Sequence, residues 1–151
     1  MRKLLSLLAL LTFAVPMFAA SPFVGTWKLN TAKTKYAKGS APREVTLVIE
    51  EQGTNLKTTG TGTTSDGSPI SVEFTVPIKG GTGTVQTGEF NGVTSKVMSA
   101  NIRENTYLKD GKEWRSRSMV LSSDGKTLTS RVKGLGTAET PIDGTDIFEK
   151  Q

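Results

Sequence analysis

Two linked patterns restrict the fold of this chain more than anything else in it: turn-forming dipeptides that recur along its length, and strict alternation of apolar and polar residues. The dipeptides are Asp66-Gly67, Gly80-Gly81, Asn91-Gly92, Asp110-Gly111, Asp124-Gly125 and Asp143-Gly144. Asp-Gly and Asn-Gly supply the positive backbone φ that a two-residue hairpin turn requires. In the extended segments Val45, Leu47 and Ile49 share one side, with Glu44, Thr46 and Glu50 opposite. Ile70, Val72, Phe74 and Val76 likewise oppose Ser71, Glu73, Thr75 and Pro77. Period two with one polar side describes strands packed on one face and wet on the other. Beyond residue 20 the chain holds 21 Thr, 12 Ser and 16 Gly, all poor helix formers, and Thr favours strands. No helical period is sustained there, and the chain reads as an all-β antiparallel meander.

Residues 1–20 stand apart from this pattern. Arg2 and Lys3 precede an apolar run from Leu4 to Phe18, closed by the small residues Ala19, Ala20 and Ser21. Positive, apolar, small is the order of a secretory signal peptide, and the run is too short for a membrane-spanning helix. Residues 21–151 then make one domain, expected in a secreted or periplasmic compartment. Losing Arg2 and Lys3 lowers the formal charge from +5 to +3, so much of the basicity belongs to targeting. The chain has no Cys and no His. Disulfides, thiolate metal sites and a cysteine nucleophile are excluded, and the usual general base and commonest metal ligand are missing.

Further strands are predicted at 23–29, 54–64, 83–87, 92–98, 102–108, 112–121, 127–133 and 145–150. About eight to ten antiparallel strands in one domain close most simply into an up-and-down β-barrel, which leaves no unpaired edge. The segment 30–43 carries Lys33, Lys35, Lys38, Arg43 and the single aromatic Tyr36, with no apolar face. It is expected to be a solvated loop.

The first strand reads Phe23-Val24-Gly25-Thr26-Trp27-Lys28-Leu29. It resembles the opening strand of the calycins, the superfamily of lipocalins and intracellular fatty-acid-binding proteins, and is nearest in wording to the fatty-acid-binding branch. A Lys-Asp-Gly-Lys turn at Lys109–Lys112 and the final strand Asp146-Ile147-Phe148-Glu149-Lys150 extend the resemblance in chain order. Carried on from Asn30 to Tyr36, the opening is also similar to small secreted bacterial proteins with lipocalin-like domains and no assigned activity. The resemblance implies a barrel plugged at its closed end by Trp27. Two features of the fatty-acid-binding branch are replaced. A shorter polar segment follows the first strand in place of a two-helix lid. The Arg-x-Tyr pair and neighbouring arginine that hold a carboxylate fall on Asp146, Phe148 and Ser118. A carboxylate facing Asp146 would meet like charge, so fatty-acid binding is not expected.

Alternation along 112–121 places Trp114, Ser116, Ser118 and Val120 on one face, and Arg115, Arg117, Met119 and Leu121 on the other. The resemblance assigns the first face to the interior, in agreement with keeping charge in water. Val72, Phe74, Trp114 and Phe148 would then supply apolar surface, and Ser116 and Ser118 orienting hydroxyls. The expected partner is a small apolar molecule, uncharged or cationic, held non-covalently in the barrel. The same residues are accounted for as the core of a filled barrel. Function would then lie on the loops, as in a cell-envelope interaction or inhibitor module with an apolar patch near Tyr36 or Leu135. Arg115, Arg117, Lys112, Arg131 and Lys133 form a basic stripe on the outer face, which Glu113 and Glu149 can neutralise. No aromatics interleave the stripe, so no nucleic-acid partner is expected. A lipid-facing apolar band and aromatic girdles are missing, so membrane insertion is not expected. Neither a Gly-x-Ser-x-Gly motif nor a facing carboxylate pair points to catalysis. The chain therefore reads as a monomeric binding protein and not an enzyme, with no cofactor, metal or catalytic residue.

Overall fold

A computed structural model describes residues 19–151; apart from Ala19 and Ala20, the expected signal segment 1–20 lies outside the described residues. The chain runs β1 (Gly25–Leu29), β2 (Lys35–Lys38), β3 (Glu44–Gln52), β4 (Asn55–Thr63), β5 (Pro69–Pro77), β6 (Gly81–Thr82), β7 (Thr84–Thr87), β8 (Gly92–Ser99), β9 (Ile102–Lys109), β10 (Lys112–Leu121), β11 (Thr127–Leu135) and β12 (Pro141–Lys150). These join in one 12-stranded sheet in the order β6-β8-β9-β10-β11-β12-β1-β3-β4-β5-β7, with β2 added along β12. Every pairing is antiparallel. The described residues contain no helix, and the sheet curls into a nearly closed up-and-down barrel.

Closure depends on residues 81–87. They form one extended run that changes neighbours midway: Gly81 and Thr82 pair with Ser95 and Thr94 of β8, whereas Thr84, Val85 and Thr87 pair with β5. The change falls at Gly83, whose N–H donates to Val93 O at 2.9 Å. A Cβ on Gly83 would collide with Thr75 O on one side and press on Val93 on the other. Only glycine lets two strands approach this closely. The alternation alone located this strand at 83–87, and the structure divides it between two partners.

Two other sequence expectations change. The segment 30–43 is not a free loop. Thr34 Oγ1 donates to Asn30 O at 2.9 Å and accepts from Ile147 N–H at 3.1 Å, which turns the chain so that β2 continues along β12. Asp143-Gly144 is no turn but lies inside β12, where a Cβ on Gly144 would fall within the Tyr36 ring. By contrast, Asp110 and Gly111 take the positive φ values 51° and 78° of a tight β9–β10 turn.

One buried cluster runs from the Trp27 end of the barrel to the aromatics Phe74, Phe90, Tyr107 and Trp114. Trp27 is fully buried, its Nε1–H donating to Phe23 O at 2.9 Å. Phe23, Leu56, Val76, Leu121 and Leu128 close around it. At this end Arg103 of β9, 4% exposed, clasps the seam. Its Nη1 donates to Pro77 O and to Ser95 Oγ at 3.1 and 2.7 Å, and its Nη2 donates to Ile78 O. Strands that share no ladder are thereby tied through one guanidinium.

Candidate ligand-binding cavity

Burial grades along the inward faces. On β5, Ile70 and Val72 are half-buried while Phe74 and Val76 are buried, as expected if the barrel is packed at one end and hollow toward the other. The hollow is a cavity of about 560 Å³. Its rim is made by the turns at Gly39–Ser40, Thr64–Ser68 and Gly136–Thr140, and its floor faces the Trp27 end. That volume lies within the ~300–1,000 Å³ range of small-molecule sites.

One flank of the wall is aromatic. The Phe74 ring stands edge-on to Tyr107 at 5.5 Å, Phe90 lies 4.7 Å from Tyr107, and Phe90 stacks on Trp114 at 6.1 Å. The other flank is a polar belt across four consecutive strands. Arg117 of β10 donates from Nη1 to Asp146 Oδ2 of β12 at 2.7 Å and to Ser130 Oγ of β11 at 3.0 Å. Asn105 of β9 is the direct cross-strand partner of Arg117. Asp146, Ser130 and Asn105 are 1%, 1% and 2% exposed.

Charge this deep shifts the groups around it. Burial would lower the Arg117 pKa, but Asp146 and the nearby tyrosines outweigh it, and the guanidinium is held above its ordinary value. Arg115 is lowered to about 10, first by burial and then by Arg117, with Glu89 acting in the opposite sense. Burial pushes the Tyr36 hydroxyl up to about 12; Arg117 opposes that shift and Asp146 adds to it. Tyr107 is raised by burial as well.

The arginines reach the interior because β10 contains a bulge. Lys112 and Glu113 pair with Lys109 and Leu108, but the next pair is Arg115 with Tyr107, which leaves Trp114 as an extra residue. Trp114 and Arg115 therefore both turn inward, with the Arg115 guanidinium 4.0 Å from the centre of the Trp114 ring. Everything beyond is shifted by one position: Arg117, Met119 and Leu121 face in. The structure thus places Val72, Phe74, Trp114 and Phe148 on the cavity wall, and Ser116 and Ser118 off it. The two serines pair across the sheet with Lys133 and Arg131, both exposed. The expected outer stripe accordingly loses Arg115 and Arg117. Arg131 pairs with Asp143 at 3.5 Å.

A signal for the bulge existed in the sequence. Gly134, one residue beyond the strand expected at 127–133, lies near the end of the β11 ladder opposite Arg115, and a Cβ there would collide with Trp114 O. A lone strand glycine is the usual mark of such an approach. Tyr36 was missed because its segment shows no strand pattern. Near Tyr36 and Leu135 the surface is not apolar, since Tyr36 packs on Gly144 and Leu135 against the core. Among the described residues, the exposed large apolar side chains are Val97, Met98 and Val120, none of which lines the cavity.

No protein family's profile matches this chain, and no curated protein matches it by sequence. Solved structures do match in shape. The barrel EF1p2_mFAP2b, described as bound to DFHBI, superposes with a TM-score of 0.51 at 17% identity, over 88% of this chain and 97% of its own. The zebrafish ileal bile acid-binding protein, described as complexed with cholic acid, superposes with a TM-score of 0.50 at 14% identity, over 87% of this chain and 100% of its own. The chain has the fold of the lipocalin and fatty-acid-binding type of barrel.

Proposed function

We propose that the protein binds a small molecule non-covalently inside the barrel, as a carrier or scavenger in a secreted or periplasmic compartment. The observation that carries this reading is the cavity itself. A filled barrel of this size would close the space with side chains; this one keeps about 560 Å³ behind a continuous aromatic wall. The similar barrels described with DFHBI and with cholic acid support the same use of the shape. Val72, Phe74, Trp114 and Phe148 are the apolar contacts of the proposed site. Arg117 and Asp146 take the orienting role that Ser116 and Ser118 held in the sequence reading.

Native mass spectrometry of protein purified from its own compartment tests the reading. A bound small-molecule mass, released on denaturation, is expected. A clean apo mass, together with no saturable binding from a lipid and metabolite extract, would overturn it. N-terminal sequencing of the same material checks the compartment, with a mature chain beginning at or near Ser21 as the expected result.

A further inference from the structure

Beyond the arginine–aspartate bond, the cavity wall contains three buried side-chain atoms without a hydrogen-bond partner among the described residues, two in the polar belt and one on the aromatic flank: Asp146 Oδ1, Asn105 Oδ1 and Trp114 Nε1. Their residues are 1%, 2% and 4% exposed, and all three line the cavity. Buried polar atoms are normally paired, and an unpaired one is expensive. The two oxygens can only accept and the indole N–H can only donate. The wall therefore asks its occupant for donors and for an acceptor.

The charges on the wall narrow the class further. Arg117 is committed to Asp146 through a 2.7 Å bond. Arg115 gives its Nε–H to Leu135 O at 2.9 Å and stacks on Trp114, and Glu89 stands on the same wall. Arg117 thus meets its acid without help from a ligand, whereas Arg115 is held by a carbonyl and a ring. At the rim, Asp66 is engaged by Thr64 Oγ1 and by Ser68 N–H. An anionic head would compete with Asp146 for Arg117 and turn its own lone pairs toward two acceptor oxygens. A cationic head would lie beside two arginines.

We propose that the cavity selects an uncharged molecule whose polar end both donates and accepts hydrogen bonds, such as a carboxamide, a lactam or a hydroxylated ring, in preference to a carboxylate or sulfonate. The donors go to Asp146 Oδ1 and Asn105 Oδ1, the acceptor takes the Trp114 N–H, and the apolar body lies along Phe74 and Phe90. This rests on the small-ligand reading above and adds the chemistry of the polar end.

Four matched probes test it by calorimetric titration: 2-naphthamide, 2-naphthol, 2-methoxynaphthalene and 2-naphthoate. The amide is expected to bind about tenfold or more tightly than the methoxy compound, which has no donor, and than the carboxylate. The naphthol should fall between them. Asn105→Leu should remove most of the amide's advantage and leave the methoxy compound unchanged. Trp114→Phe, which keeps an aromatic ring, provides a second test should the first variant fold poorly, and should weaken the probes through their acceptor oxygens, the amide with its stronger carbonyl acceptor the most. Naphthoate binding as tightly as the amide, or all four binding equally, would overturn the selectivity while leaving a small-molecule site intact. If no probe binds and native mass spectrometry shows only apo protein, the small-ligand reading itself falls, and the selectivity with it.

Discussion

Arg117 and Asp146 depend on each other unequally. The carboxylate is 1% exposed and the guanidinium side chain 22%, so removing the acid strands a largely desolvated cation. Asp146→Ala is expected to cost about 3–5 kcal/mol. The double change Arg117→Met with Asp146→Leu removes both charges and should be close to neutral by comparison. Urea unfolding separates the two cases, and equal losses would contradict the argument. The tyrosines carry a pH signature. Both of the chain's tyrosines are raised above the ordinary value, Tyr36 to about 12. The folded protein thus holds these protons more tightly than the unfolded chain. That stabilisation is complete below about pH 10, the unfolded tyrosine value, and is lost as pH climbs toward 12. Tyrosinate absorbance should appear together with unfolding. Free titration of a tyrosine near pH 10 in the intact fold would count against the burial described. None of this charge chemistry was legible beforehand. Composition and alternation argue for charge in water, and only the partnership with Asp146, set by register, makes an inward Arg117 tolerable.

Single residues act here through the strands that carry them, and β10 shows how far one insertion reaches. Alternation read β3 and β5 correctly because neither strand carries an extra residue: the β3–β4 and β4–β5 ladders run without slip, and the shift in the β5–β7 pairing falls at Gln86 of β7. The same rule misplaced Ser116, Ser118, Arg115 and Arg117, because one extra residue at Trp114 inverts every face beyond it. A chain free of cysteine permits a direct check. Ser118→Cys should react with a polar thiol reagent in the folded protein, whereas Met119→Cys, on the buried face, should react only on unfolding. The reverse order would mean that the bulge is absent. The run 81–87 makes a different demand. Gly83→Val puts a branched side chain where Thr75 O and Val93 already touch, and overpacking of this kind costs about 1–3 kcal/mol. A lowered urea midpoint is expected, with the largest loss of amide protection in β6 and β7. An unchanged midpoint would show that the seam has slack.

For the molecule as a whole, a barrel without disulfides gains its cohesion from paired edges, a filled closed end and the Arg103 clasp. The price of the hollow end appears as weaker packing at the mouth, which an occupant should offset. A ligand at one hundred times its dissociation constant adds about 2.7 kcal/mol to stability. The thermal midpoint should therefore rise with 2-naphthamide and remain unmoved when Trp114 is replaced by alanine. The partner exchange at Gly83 has a consequence for how the wall is closed. On the closed side of that glycine the run 81–87 is stitched to β8, while on the open side it is stitched to β5, leaving the β7–β8 interval near Glu89 and Phe90 without a ladder. At that interval the wall is closed by side chains, Phe90 among them, while the end around Trp27 is laced by main-chain ladders and the Arg103 guanidinium.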